Sequence, residues 1–157
     1  MMVVMAPLTL ADAAATEAAG RAIAAVLRDG DVVALFGNLG AGKTTLSRGL
    51  LAALGLAGEA PSPTFAIVQP YAPPEVRLAV AHVDLYRIDD PQDVRELGLD
   101  EYRADGVLLI EWPERMGAAL WPDAVRIRLE PTPDGARRLT ADLPPSWESR
   151  WPFPHLK

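Results

Sequence analysis

Val32-Val-Ala-Leu-Phe-Gly-Asn-Leu-Gly-Ala-Gly-Lys-Thr-Thr45 is the stretch on which the fold turns. Its first five residues are apolar and partly β-branched, bounded by Asp29-Gly30-Asp31 and by Gly37, the profile of a short strand buried in a parallel sheet. From Gly37 to Thr44 the residues fit G-x-x-x-x-G-K-[ST] at every fixed position. Lys43 to Leu54 then places Leu46, Leu50, Leu51 and Leu54 on one side, which predicts a helix ending at Gly55. Strand, glycine-rich turn and helix in immediate succession are the context in which such a turn cradles phosphates. Glycines let the backbone curl with successive N–H groups pointing inward, and the helix presents its positive end to the anion. The loop of Gly37, Asn38, Leu39, Gly40, Ala41, Gly42, Lys43, Thr44 and Thr45 is therefore expected to hold ATP. Lys43 should reach the β- and γ-phosphates, and the Thr44 hydroxyl should ligate Mg2+.

Working outward, Ala11 to Arg28 is alanine-rich with apolar residues at helical spacing and reads as one helix. Gly58 to Pro63 reads as loop, Phe65 to Val68 as strand, and Pro73-Pro74-Glu75 as a turn. Leu78 to Leu85 is a further strand, and Pro91 opens a short helix through Leu97 that Gly98 ends. Gly106 to Ile110 is a third buried strand, stopped at Trp112-Pro113. Val125 to Leu129 and Arg138 to Ala141 alternate around a turn from Pro131 to Gly135, which predicts an antiparallel hairpin. The alternation of strands and helices points to an α/β domain of the P-loop NTPase kind. Helices would cover both faces of a mainly parallel sheet, made mixed by the closing hairpin. Residues 1–143 are read as this one domain and residues 144–157 as an irregular tail rich in Pro and Trp.

Composition narrows the remaining possibilities. With 157 residues the chain can bury a sizeable core, and without cysteine it has neither a disulfide framework nor a thiolate site. The apolar runs are shorter than the roughly 18 residues that a membrane span needs, and no basic segment precedes an apolar stretch at the N-terminus. No membrane association and a cytoplasmic location are the expectation. A net charge of −6 argues against a broad phosphate-gripping face, so contact with nucleic acid should be indirect.

A nucleotide site of this type needs a carboxylate at the end of a neighbouring strand, holding the metal directly or through water. Glu111 ends the run Val107-Leu-Leu-Ile110, with Glu where Asp is commoner, and Asp84 ends the weaker run Val80-Ala-His-Val83. Both are candidates, against the plainer alternative of solvent-facing carboxylates at strand ends. Thr64, in Ser62-Pro63-Thr64, lies on a loop after the helix, where nucleotide switches place a hydroxyl that senses the γ-phosphate. His82 is expected to pack within its strand rather than act as a base. Arg126, Arg128, Arg137 and Arg138 read as a solvated face of the hairpin.

Ser62-Pro63-Thr64, His82-Val-Asp-Leu-Tyr-Arg87 and Glu111-Trp112-Pro113, in this order behind Gly-Ala-Gly-Lys-Thr-Thr, form a combination far more specific than its parts. The chain resembles the TsaE (formerly YjeE) family of small bacterial P-loop ATPases over roughly Leu8 to Asp142. The resemblance implies a part in forming N6-threonylcarbamoyladenosine at position 37 of tRNA. In that family the ATPase transfers no carbamoyl group itself but joins the TsaD–TsaB transferase pair, whose repeated turnover its ATP cycle supports. It also implies that Thr44 and Glu111 ligate Mg2+, that Asp84 is needed for hydrolysis, that Thr64 belongs to a switch-like segment, and that Trp112 lies near the nucleotide. Asn38 departs from the family, many of whose members carry Asp there.

The expected chemistry is phosphoryl transfer from ATP to water, with Lys43 and the loop backbone stabilising phosphate charge and Asp84 positioning water. Hydrolysis should be weak until the TsaD-like and TsaB-like partners dock. The alternatives are a small-molecule kinase, which would need a substrate pocket and an arginine-bearing lid, and a nucleotide-sensing assembly factor whose hydrolysis is incidental. A GTPase is disfavoured because guanine recognition commonly uses Asn-Lys-x-Asp, and Asn38 is the chain's one asparagine.

Overall fold

The computed structural model describes residues 2–154 apart from 59, 62 and 64–66. Strands β1 (Val3–Val4) and β2 (Leu8–Leu10) precede helix α1 (Ala13–Ala24), strand β3 (Val32–Phe36) and helix α2 (Lys43–Ala53). Strands β4 (Val68–Tyr71) and β5 (Val80–Asp84) follow, then helices α3 (Pro91–Arg95) and α4 (Leu99–Asp105) and strand β6 (Val107–Glu111). A 3-10 segment, Pro113–Ala119, leads to the hairpin of β7 (Val125–Pro131) and β8 (Arg137–Leu143), and a last 3-10 turn spans Pro145–Trp147.

One sheet runs β1-β8-β7-β3-β6-β5-β4, with β2 also paired to β8. Its four central strands, β7, β3, β6 and β5, are mutually parallel, and the flanking pairings are antiparallel. Alternate residues of β3 serve opposite cores. Val33 and Leu35 join the cluster beneath α1 and α2, with Ile23, Leu46, Leu50 and Leu51, whereas Val32 and Ala34 join the cluster under α3 and α4, with Val94, Leu99 and Met116. A strand buried on both faces reads as an unbroken apolar run because neither side meets water.

The helices differ from expectation at their ends for local reasons. Asp12 is extended and accepts from the Ala15 N–H at 2.9 Å, so it caps α1 from outside the helix. At the other end Val26 and Leu27 bond back three residues, a tightened turn that leaves the α-helix, and the Arg28 N–H is taken by Asp31 Oδ2 at 2.7 Å. Asp90 caps α3 in the same way, and Gly98, at φ 68°, separates α3 from α4, a helix the sequence reading did not anticipate. Of the strand anticipated at Phe65 to Val68, Val68 opens β4 (Val68–Tyr71), which contains Pro70, and residues 65 and 66 lie outside the described residues. A strand proline lacks the ladder N–H, and β4 tolerates it because it is an edge strand. Ser62, Thr64 and Phe65 lie outside the described residues. The short β1 and β2, also unanticipated, extend the sheet beyond the hairpin.

The segment from Pro144 carries a 3-10 turn and packs into the body. Trp147 and Trp151 are buried in the core beneath α1 and α2, while Arg150 makes a bidentate pair with Asp31 at 2.8 and 3.0 Å. No helix among the described residues is long and apolar enough to cross a membrane.

Candidate nucleotide site

Four buried polar side chains gather at one end of the sheet. Lys43, His82, Asp84 and Glu111 are each at most 5% exposed, and they sit at or near the carboxyl ends of β5 and β6 and at the start of α2. Parallel α/β sheets place their ligands in the crevice at this end. A cleft of about 320 Å³ opens there, lined by the loop from Leu39 through Thr45, by Asp84, Glu111 and Trp112, and by Arg137.

The loop is shaped by its glycines. At Gly37 (φ 152°) an added Cβ would lie 2.7 Å from the Leu129 carbonyl oxygen, so only glycine lets the chain pass the end of β7. Gly42, at φ 106°, is the N-cap of α2 and offers no side-chain acceptor to the first-turn amides, unlike the aspartates that cap α1 and α3. The unpaired amides of that turn therefore remain for an anion. The Lys43 ammonium donates to the Gly37 carbonyl and rests 3.5 Å from the centre of the Trp112 ring. Burial pushes its pKa below the ordinary lysine value of 10.5, against the upward pull of Glu111, Glu114 and Asp84.

The acids meet the loop through parallel register. Asp84 pairs with Glu111 across β5 and β6, so both carboxylates arrive at the same level. Glu111 Oε1 accepts from the Thr44 hydroxyl at 3.0 Å, and Oε2 lies 2.6 Å from His82 Nε2. Asp84 Oδ1 accepts from the Tyr86 N–H at 2.9 Å. Hydroxyl and carboxylate oxygens are the hard donors that Mg2+ takes, and Thr44, Glu111 and Asp84 could hold it beside phosphate oxygens. Trp112 adopts φ 59° with its ring over Lys43, and Tyr86 packs against it at a tilt of 46° with centroids 4.8 Å apart.

Among the expected site residues, Leu39 through Thr45, Asp84, Glu111 and Trp112 are thus brought together. Gly37 and Asn38 form the outer end of the loop without lining the cleft, the Asn38 carbonyl accepting from the Ala41 N–H. Thr64 lies outside the described residues. Arg137 is an addition. From β8 its Nη2 donates to the Gly40 carbonyl at 3.1 Å, which separates it from the exposed Arg128 and Arg138; Arg126 also departs from a solvated face, its Nε being buried. Strand alternation could have shown this, because Arg137 shares a face with buried Leu139, Ala141 and Leu143, and Arg138 does not.

A parallel sheet with this loop between its central strand and a covering helix, and with acids on the adjacent strand ends, defines a P-loop protein. A family model described as threonylcarbamoyl adenosine biosynthesis protein TsaE matches residues 10–139. The chain belongs to the TsaE family. It is 40% identical over 126 residues to the tRNA threonylcarbamoyladenosine biosynthesis protein TsaE of Streptomyces coelicolor, a match covering 77% of this chain and 85% of that one. It is 37% identical over 126 residues to the protein of the same name from Bacillus subtilis, covering 80% and 77%. The crystal structure of Bacillus subtilis YdiB superposes with a TM-score of 0.79 at 29% identity, covering 96% of this chain and 93% of that one.

Proposed function

We propose that this chain binds ATP with magnesium and hydrolyses it in support of a TsaD–TsaB-like transferase pair that forms threonylcarbamoyladenosine in tRNA. The observation that carries the reading is the meeting of Lys43, Thr44, Asp84 and Glu111 around an α2 N-terminus that no side chain caps. Family membership supplies the pathway, since the relatives are named for that modification.

The loop amides and Lys43 bind the β- and γ-phosphates, Lys43 leaving the Gly37 carbonyl for phosphate oxygen. Thr44 and Glu111 would hold Mg2+, which would supply positive charge against that developing on the phosphate oxygens. Asp84, level with Glu111, orients the attacking water, and Trp112 closes the side of the cleft over the Lys43 ammonium. Turnover is slow in the isolated chain and rises when the partners dock. The tRNA is held by those partners, in keeping with a net charge of −6.

Titration calorimetry with ATP and Mg2+ tests the binding step. Lys43→Ala should lose ATP binding while its circular dichroism stays that of the parent, and unaltered affinity would refute the assignment. In a reconstituted modification reaction, Asp84→Ala and Glu111→Ala should lose hydrolysis and modification together. Hydrolysis lost with modification retained would instead make the chain a nucleotide-sensing assembly factor.

A further inference from the structure

His82 is fully buried beneath the candidate cleft, and the proposed function gives it no task. Its strand points it the same way as Asp84, two residues on, and register sets it opposite Leu109, diagonal to Glu111. Nε2 lies 2.6 Å from Glu111 Oε2, whereas Nδ1 is buried with no hydrogen-bond partner among the described residues. A ring included only for packing would serve better as an apolar side chain, because a buried polar atom left unpaired is costly. Among the described residues, the ring's one polar contact is with the carboxylate whose other oxygen meets Thr44.

We infer that His82 is the positioning residue of Glu111, holding Oε2 so that Oε1 stays at the Thr44 hydroxyl, where the metal would be bound. The inference rests on the ATP–magnesium reading and deepens it. Glutamate has one more rotatable bond than aspartate, so a glutamate at this strand end reaches further but must be restrained to present one oxygen. An ionised carboxylate can only accept, and with one in place the hydrogen bond runs from an Nε2 N–H to Oε2. Three elements are thereby joined in a line, from His82 on β5 through Glu111 on β6 to Thr44 on α2. Outer partners that orient a ligating group commonly govern metal affinity without touching the metal.

The test is the affinity of the full chain for the non-hydrolysable analogue adenylyl imidodiphosphate, measured by calorimetry with Mg2+ and again with EDTA. The ratio of the two affinities isolates the contribution of the metal. His82→Ala and His82→Asn should lower that ratio by about tenfold to a hundredfold, or to unity, with the EDTA affinity unchanged. His82→Gln places an amide donor near the position of Nε2, as Asn cannot, and should restore most of the ratio. An unchanged ratio in the Ala and Asn variants overturns the inference, as does an EDTA affinity that falls in step, which would mark a structural role. If the Ala variant does not fold, Gln and Asn decide between them, and equal ratios overturn the inference. A wild-type chain with no magnesium increment overturns the ATP–magnesium reading itself, whereas an increment retained in every variant removes His82 alone.

Discussion

Arg137 shows how one side chain can be assigned by the company it keeps. Its guanidinium spans from β8 to the Gly40 carbonyl, bringing a second cation to a loop already served by Lys43. A charge-assisted hydrogen bond is worth about 1.5–3 kcal/mol, and the partial exposure of this arginine places the expected loss at the lower end. Arg137→Ala should therefore weaken ATP binding by about tenfold, equivalent to about 1.4 kcal/mol, with the fold retained by circular dichroism. The dependence of affinity on salt should flatten in the same titrations. A change below about twofold at any ionic strength, about 0.4 kcal/mol, would remove Arg137 from the site. Arg138, one residue on and on the opposite face, is the natural control.

Between elements, the closest approach is the crossing of α1 and α2. A Cβ at Gly20 would lie 2.1 Å from the Leu46 carbonyl oxygen, and one at Gly49 would lie 2.2 Å from that of Glu17. Each glycine thus admits the backbone of the other helix, where no flexible side chain could yield. This crossing seats the helix whose first turn presents Lys43 and Thr44 to the cleft. Alanine is the better helix former by about 1 kcal/mol, so propensity alone would favour the substitution. The backbone clash should win, and Gly49→Ala is expected to destabilise the chain by about 1–3 kcal/mol. For a chain of this size the melting temperature should drop by about 2–4 °C for each kcal/mol. A melting temperature that rises would show that propensity dominates. Both helices were legible from leucine and alanine spacing, but neither glycine was, because a close approach leaves no periodic signal in the residues that make it.

Over the whole molecule, two cores on opposite faces of one sheet carry the stability, and the C-terminal segment contributes to one of them. Trp147 is 1% exposed there, with Trp151 beside it and the Arg150–Asp31 pair closing the edge. Truncating such a tryptophan costs about 3–5 kcal/mol, against a total stability of about 5–15 kcal/mol for an ordinary domain. Trp147→Ala should lower the urea midpoint sharply at unchanged slope, and a midpoint within error of the parent would mean that the segment only lies on the surface. The tail read as irregular because prolines and tryptophans have no period, and what buries them is a surface built from distant residues. The stretch from Val32 to Leu54 carried its own structure in its order, since strand, loop and helix are contiguous and each shows its own apolar or glycine pattern. The carboxylates at the ends of β5 and β6 were legible for the same reason, each closing an apolar run. Tertiary structure alone decided that His82 meets Glu111 across 29 positions, that Arg137 meets Gly40 across 97, and that Trp147 enters the core. Those contacts depend on register and on side chains converging from separate strands, and a linear order of residues carries neither.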